Sequence, residues 1–218
     1  MTIVSHWSIV PIFLKPDALG GATSVVDGKL AGDFCMHLAG FVNSEVQLNF
    51  TPNFENTIYG AELARRHVGA EADAFSWYKW PITDGASCQA RLVELAPRIA
   101  SRGEIKLVEI VQCVSLALGF EETMSTEHVL SVEDYMAFYR YTNRPDLHPR
   151  MQDYLVGKRV RLIMMCGQQE NSALQAMKTF LRRVMLHHTG KSNGGNWIHV
   201  TNPDVPNYPE LLRLYAGL

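Results

Sequence analysis

His199 lies in the short apolar stretch 197–201. An imidazole titrates near neutrality, so it can serve as a nucleophile towards phosphorus or as an acid–base group. Alone on an apolar strand, however, a histidine is ordinarily a satisfied core residue. Lys15 stands before Pro16 at the end of another apolar stretch, where a solvated turn lysine is the default. Arg182 and Arg183 end a helical pattern, as cations that answer the helix dipole do. Glu210 falls where a first-turn acid is ordinary. His187 and His188 invite a metal reading, but adjacent residues rarely face one ion and no third ligand is placed, so no metal site is expected. Gly190-Lys191-Ser192 ends like a P-loop, but it lacks the earlier glycine and follows a helix instead of a strand.

Composition limits what these groups can be part of. The chain has 218 residues, room for one domain with a large insertion or for two small ones. Hydrophobic residues at 47% and charged residues at 19% exclude global disorder. A net charge of -2 argues against broad nucleic-acid binding, yet leaves room for an anion pocket built from a few cations. Cys35, Cys88, Cys113 and Cys166 show no C-x-x-C spacing, which excludes a zinc ribbon or a redox dithiol and leaves buried thiols in a reducing compartment. The opening MTIVSHWSIVPIFLKPD is too short, lacks a basic leader and carries Pro11, so it is not a signal peptide. No window approaches the ~20 apolar residues of a membrane span. A cytoplasmic protein with neither membrane nor nucleic acid as partner is expected.

The elements that position these residues read as follows. Residues 8–14 are branched and apolar and predict a buried strand, with Pro11 as a blemish that marks a bulge. From about 20 to 102 the pattern is broken by Gly20-Gly21, Pro52-Asn53 and Asp84-Gly85, with helical stretches at 61–67 and at 89–100 apart from Pro97. Phe75, Trp77, Tyr78 and Trp80 form an aromatic cluster of the kind found in cores and subunit contacts. Residues 104–118 predict a helix closed by Gly119 at its C′ position. A strand over 121–130 follows, then a helix capped by Ser131 and running to about Tyr141. Residues 159–166 predict an apolar strand. Residues 172–185 predict an amphipathic helix with Leu174, Met177, Leu181 and Val184 on one side. After the turn Asn193-Gly194-Gly195 come a short strand over 197–201 and a short helix over 209–215. The fold class is therefore α+β: a ferredoxin-like β-α-β-β-α-β core with a large, partly helical insertion.

Several of these segments together resemble the nucleoside diphosphate kinase family. Ile12 to Asp17 resembles its first strand and Lys-Pro-Asp turn, and Gly103-Glu104-Ile105 the start of its first helix. Gly119-Phe120 and Ser131 through Tyr139 resemble the segments that follow. Arg183-Val184-Met185-Leu186 with Thr189 resembles R-V-M-L-G-x-T, and Asn196 through Thr201 resembles the active-site N-x-x-H-G-S. Glu210 lies nine residues after Thr201, where the family keeps a glutamate. The resemblance covers about 8–18 and 103–218, and implies a core of 1–18 and 103–218 with 19–102 as an insertion. It implies that His199 takes a phosphate from ATP or another nucleoside triphosphate and passes it to an acceptor. Glu210 would orient the imidazole, and Lys15 would meet the transferred phosphate. Tyr139 would stand near the nucleophile. Arg183, Thr189, Asn196 and Thr201 would hold the nucleotide, with Leu147 near the base. Mg²⁺ would arrive with the nucleotide.

Two departures from the family shape the expectation. About 80 residues enter after Asp17, where the family has a short turn, and the stretch from Thr189 to Asn196 is too short for the loop that supplies a second phosphate-binding arginine. Lys191, Arg65 and Arg66 are the cations available to replace it. Gly32-Asp33-Phe34-Cys35 matches a string from that loop, but without the preceding arginine it is a coincidence. A homo-oligomer other than the family's usual hexamer follows. Two further readings stand beside the phosphotransferase: a biosynthetic enzyme with a non-standard acceptor, and a non-catalytic nucleotide-binding protein.

Overall fold

The structure, a computed structural model, describes residues 6–14, 25–42, 84–139, 148–167, 173, 174, 177, 178, 181, 198–201 and 209–211. In chain order these give β1 (His6–Leu14), β2 (Val25–Asp27), α1 (Gly28–Val42), α2 (Gly85–Ala100), β3 (Glu104–Lys106), α3 (Leu107–Ala117), β4 (Phe120–Val129), α4 (Val132–Tyr139), α5 (His148–Leu155) and β5 (Arg159–Gly167). Residues 173, 174, 177, 178 and 181 are helical, Ile198 forms an isolated bridge, and 209–211 are helical. The chain is thus a mixed α+β protein with small antiparallel sheets. The expected helix at 61–67, the aromatic cluster of Phe75, Trp77, Tyr78 and Trp80, and the turn at Asn193-Gly194-Gly195 lie outside the described residues. No helix among the described residues is long and apolar enough to cross a membrane.

β5 is central in the larger sheet, between β1 and β4, and pairs antiparallel with both. Its sequence explains the position: the apolar run from Leu162 to Met165 can be covered on both faces, and all four residues are buried. Ile163 and Met165 join one apolar cluster, while Val160, Leu162 and Met164 join another. The period of two along a strand therefore assigns a separate core to each face of the sheet. β1 pairs with β5 from His6 opposite Gly167 to Leu14 opposite Arg159, with Pro11 opposite Leu162 and no register shift. The bulge expected at Pro11 is absent. Among the described strands β1 is an outer one, where a residue without an N–H is tolerated.

The bulge of this sheet lies in β4 instead. Glu122 pairs with Met165 and Met124 with Met164, so Thr123 is the extra residue. Its hydroxyl donates to the Met164 carbonyl at 3.2 Å. The insertion exchanges the faces of β4: Phe120 enters the first cluster, whereas Met124 packs against the second.

The first cluster unites elements from both parts of the sequence. It contains Phe34 and Leu38 of α1, Leu92 and Ile99 of α2, Ile110 and Val114 of α3, and Leu174, Met177 and Leu181 further on. Helix α1 buries Ala31, Phe34, Cys35, Leu38, Ala39 and Val42, a helical stripe with the spacing i, i+3, i+4, i+7. Asp27 caps it by accepting the Leu30 N–H at 2.8 Å. Gly32-Asp33-Phe34-Cys35 thus belongs to a helix, not to a loop.

The region read as helical from residue 89 starts earlier, at Gly85. Asp84 caps it from a left-handed conformation (φ 55°) and accepts the Ser87 N–H. Pro97 lies inside α2, where it removes a bond to the Val93 carbonyl. Both residues are on the exposed side, so water can serve that carbonyl. The helix expected from residue 104 begins at Leu107 instead. Residues 104–106 pair with β2, setting Ile105 opposite Val26, and both are buried. Gly119, with φ 90°, follows α3 as expected of a C′ glycine.

Candidate active site around His199

The segment 198–201 alternates. Ile198 and Val200 are fully buried members of the first cluster. His199 is half-buried, and its ring stands edge-on to Phe138, with centroids 6.2 Å apart and planes at 71°. Phe138 belongs to the second cluster, together with Leu130, Tyr135 and Val160. The two apolar neighbours of His199 therefore anchor the backbone in one core, while the imidazole meets the other. An edge-to-face contact of this kind contributes about 0.5–1.5 kcal/mol and restricts the orientation of the ring. Thr201, two residues on, is buried.

Helix α4 supplies Phe138, and the local sequence explains its placement. Ser131 Oγ accepts the Asp134 N–H at 3.0 Å, and Asp134 Oδ2 accepts the Ser131 N–H at 2.9 Å. This is a reciprocal cap with aspartate as the returning acid. The same Asp134 oxygen lies 2.6 Å from His128 Nε2. His128 is opposite Val160 in the β4–β5 register, hence on the face of the second cluster. Burial raises the Tyr135 hydroxyl above its ordinary value, so within this cluster it stays protonated.

Glu210 is exposed, and among the described residues no hydrogen bond joins it to His199. Its neighbour Leu211 is buried in the second cluster, so this short helical segment packs on the same apolar body as Phe138. The ring seen to meet His199 is that of Phe138; Tyr139 closes α4, and its side chain lies outside the described residues. Nothing in the sequence singled out Phe138 from its aromatic neighbour, because a two-turn helix with apolar residues on several sides does not fix its own rotation. His128 and Asp134 were also missed as a pair, because their contact depends on the strand-to-helix corner. Lys15, Leu147, Arg183, Thr189 and Asn196 lie outside the described residues, as do Lys191, Arg65, Arg66, His187 and His188. β1 reaches Leu14, the residue before Lys15.

Away from His199, a small apolar cleft with room for about one water molecule lies between α1, α3 and the helical residues Met177 and Leu181. Cys35 is the one lining residue with an ionisable group, and burial pushes its thiol up to about 12. A cleft without charged or hydroxyl groups offers nothing to orient a polar substrate. Among the described residues no three His, Cys, Asp or Glu side chains are grouped to hold a metal ion. The cysteines are free, with Cys35 and Cys88 buried and Cys113 and Cys166 half-buried. No family model, curated protein or solved structure matches the chain.

Proposed function

We propose that this chain is a phosphotransferase resembling nucleoside diphosphate kinase, which moves the terminal phosphate of a nucleoside triphosphate to an acceptor through phosphohistidine at His199. The observation that carries this reading is the half-buried imidazole, held edge-on by Phe138 while both of its chain neighbours are core residues. A nucleophilic histidine needs that combination of a fixed backbone, a restricted ring and access to a ligand. The proposed core is ferredoxin-like. The order β1-β5-β4, all antiparallel, supports it: these would be the first, third and second strands of the motif, with the Ile198 segment as the fourth.

The remaining roles come from the resemblance. Lys15 and Arg183 would neutralise the phosphates, and Thr189 would help hold them. Asn196 would hydrogen-bond the sugar or the phosphate chain, and Thr201 would keep the hydroxyl of the family's serine. Leu147 would lie by the base, and Glu210 would accept from the imidazole. Mg²⁺, carried in by the nucleotide, would supply charge neutralisation at the phosphates. Attack by the imidazole forms the N–P bond as the diphosphate leaves; the acceptor then takes the phosphoryl group and returns the electron pair to the ring. A cytoplasmic homo-oligomer with a nucleotide and a small acceptor as partners completes the proposal.

The test is incubation with ATP labelled at the terminal phosphate in the presence of Mg²⁺. Acid-labile, base-stable label that disappears in His199→Ala is the expected result. Nucleotide binding without label would instead identify a non-catalytic binder. One observation favours a second reading, an enzyme with a non-standard acceptor. Helices α1 and α2, both made by inserted residues, are built into the main core. An insertion so integrated, entering directly after the Lys15 turn, is suited to reshaping an acceptor pocket. Label that no nucleoside diphosphate discharges would select that reading.

A further inference from the structure

Helix α4 links two imidazoles. Asp134 and Phe138 are both buried and lie four residues, about 6 Å, apart along one face. In the first turn, Asp134 Oδ2 is bonded to His128 Nε2 at 2.6 Å and to the Ser131 N–H at 2.9 Å. In the last turn, Phe138 meets the His199 ring. A helix of eight residues does not hold itself in water, so its placement depends on where its turns are tied. Val129, next to His128, pairs with Arg159, and His128 itself pairs with Val160, so the strand end that carries this imidazole is fixed to the central strand. A contact of 2.6 Å to a carboxylate is a strong tie, and it is directional.

We propose that the His128–Asp134 pair is a positioning device for His199, setting the plane of its ring through α4 and Phe138. His128 and Asp134 touch no reacting atom; they fix where Phe138 stands, and Phe138 fixes the imidazole. The consequence for phosphate transfer rests on the reading of His199 as the phosphate carrier, whereas the geometric coupling does not. A brace that merely stabilised α4 would leave the surroundings of His199 unchanged.

The experiment uses the full chain labelled with ¹⁵N, with the His199 ring signals assigned by their loss in His199→Gln. Three proteins are compared: wild type, His128→Leu and His128→Gln, the last keeping an N–H within reach of Asp134. In wild type, cross-relaxation between Phe138 and His199 ring protons is expected. His128→Leu should shift the His199 ring signals and slow labelling from ATP and Mg²⁺ on the order of tenfold. His128→Gln should restore both. Unchanged His199 signals in a folded His128→Leu protein overturn the inference, even if its melting temperature falls. Should that variant not fold, Asp134→Asn gives the same readout with the side-chain shape kept. Absence of the Phe138–His199 cross-relaxation in wild type also overturns the coupling. If wild type takes no label while the His199 signals still move in the variant, phosphotransfer fails as the function and the positioning stands.

Discussion

An imidazole becomes a useful nucleophile when one nitrogen is presented and the ring cannot swing away, and both conditions are set by neighbours. At His199 the backbone is anchored by Ile198 and Val200, and the ring by Phe138. The same dependence on neighbours holds at Ser131, whose hydroxyl caps α4 while its own N–H is taken by Asp134. Ser131→Ala should lower stability by about 1 kcal/mol, the usual cost of losing a cap. Urea unfolding measures this; an unchanged midpoint would mean that Asp134 alone holds the corner. The cap was readable from the sequence, because Ser131 and the acids after it form a local signal. The partner of Asp134 on β4 was not, since His128 reaches it only once the chain turns from strand to helix.

At the scale of elements, close backbone approach explains where glycine is required. A Cβ on Gly32 would lie 2.7 Å from the Ala100 Cβ and 2.8 Å from the Ala96 carbonyl oxygen, so α1 and α2 touch there. A Cβ on Gly40 would meet nothing within 4 Å. Gly32→Ala should therefore cost about 1–3 kcal/mol through overpacking, whereas Gly40→Ala should stabilise by about 0.8 kcal/mol through helix propensity. Thermal melts of the two variants must move in opposite directions; a common direction would refute the close α1–α2 contact. A second tie joins neighbouring helices: Arg91 of α2 donates to the Ala117 carbonyl at 2.7 Å, closing the C-terminus of α3. The bulge at Thr123 is the element-scale feature with the largest reach. Without the extra residue, Phe120 and Met124 would share a face, and His128 would turn away from Asp134.

For the whole molecule, burial of neutral acids sets the alkaline limit. Desolvation raises the Cys35 thiol from 9.0 to about 12. Burial raises Cys88, Cys113 and Tyr135 in the same direction. In each case the folded chain keeps a proton that the unfolded chain sheds. Stability is thus fully present below the unfolded thiol value and is lost as pH rises from 9 towards 12. For Cys35 the loss amounts to about 1.4 kcal/mol per pH unit. Cys35→Ala should flatten this limb, measured as a smaller fall in urea midpoint between about pH 8 and about pH 10.5 than in wild type. Native Cys35 should also resist alkylation near pH 8, because the thiolate is the reactive form.

Local pattern alone determined the strands at β4 and β5, the Gly119 stop, the Ser131 start and the apolar stripe at Leu174, Met177 and Leu181. Each rests on residues within a few positions of one another, where period and capping act directly. Helix α1 is equally periodic, but its Gly, Ala and Cys residues weaken the apolar signal, and no element was expected there. What tertiary structure decided is of another kind. Residues 104–106 left the helix because β2 offered them a partner, helices α1 and α2 entered one core with α3, and the Phe138 ring met His199. These outcomes turn on which surface arrives opposite a residue, and that depends on segments distant in the chain.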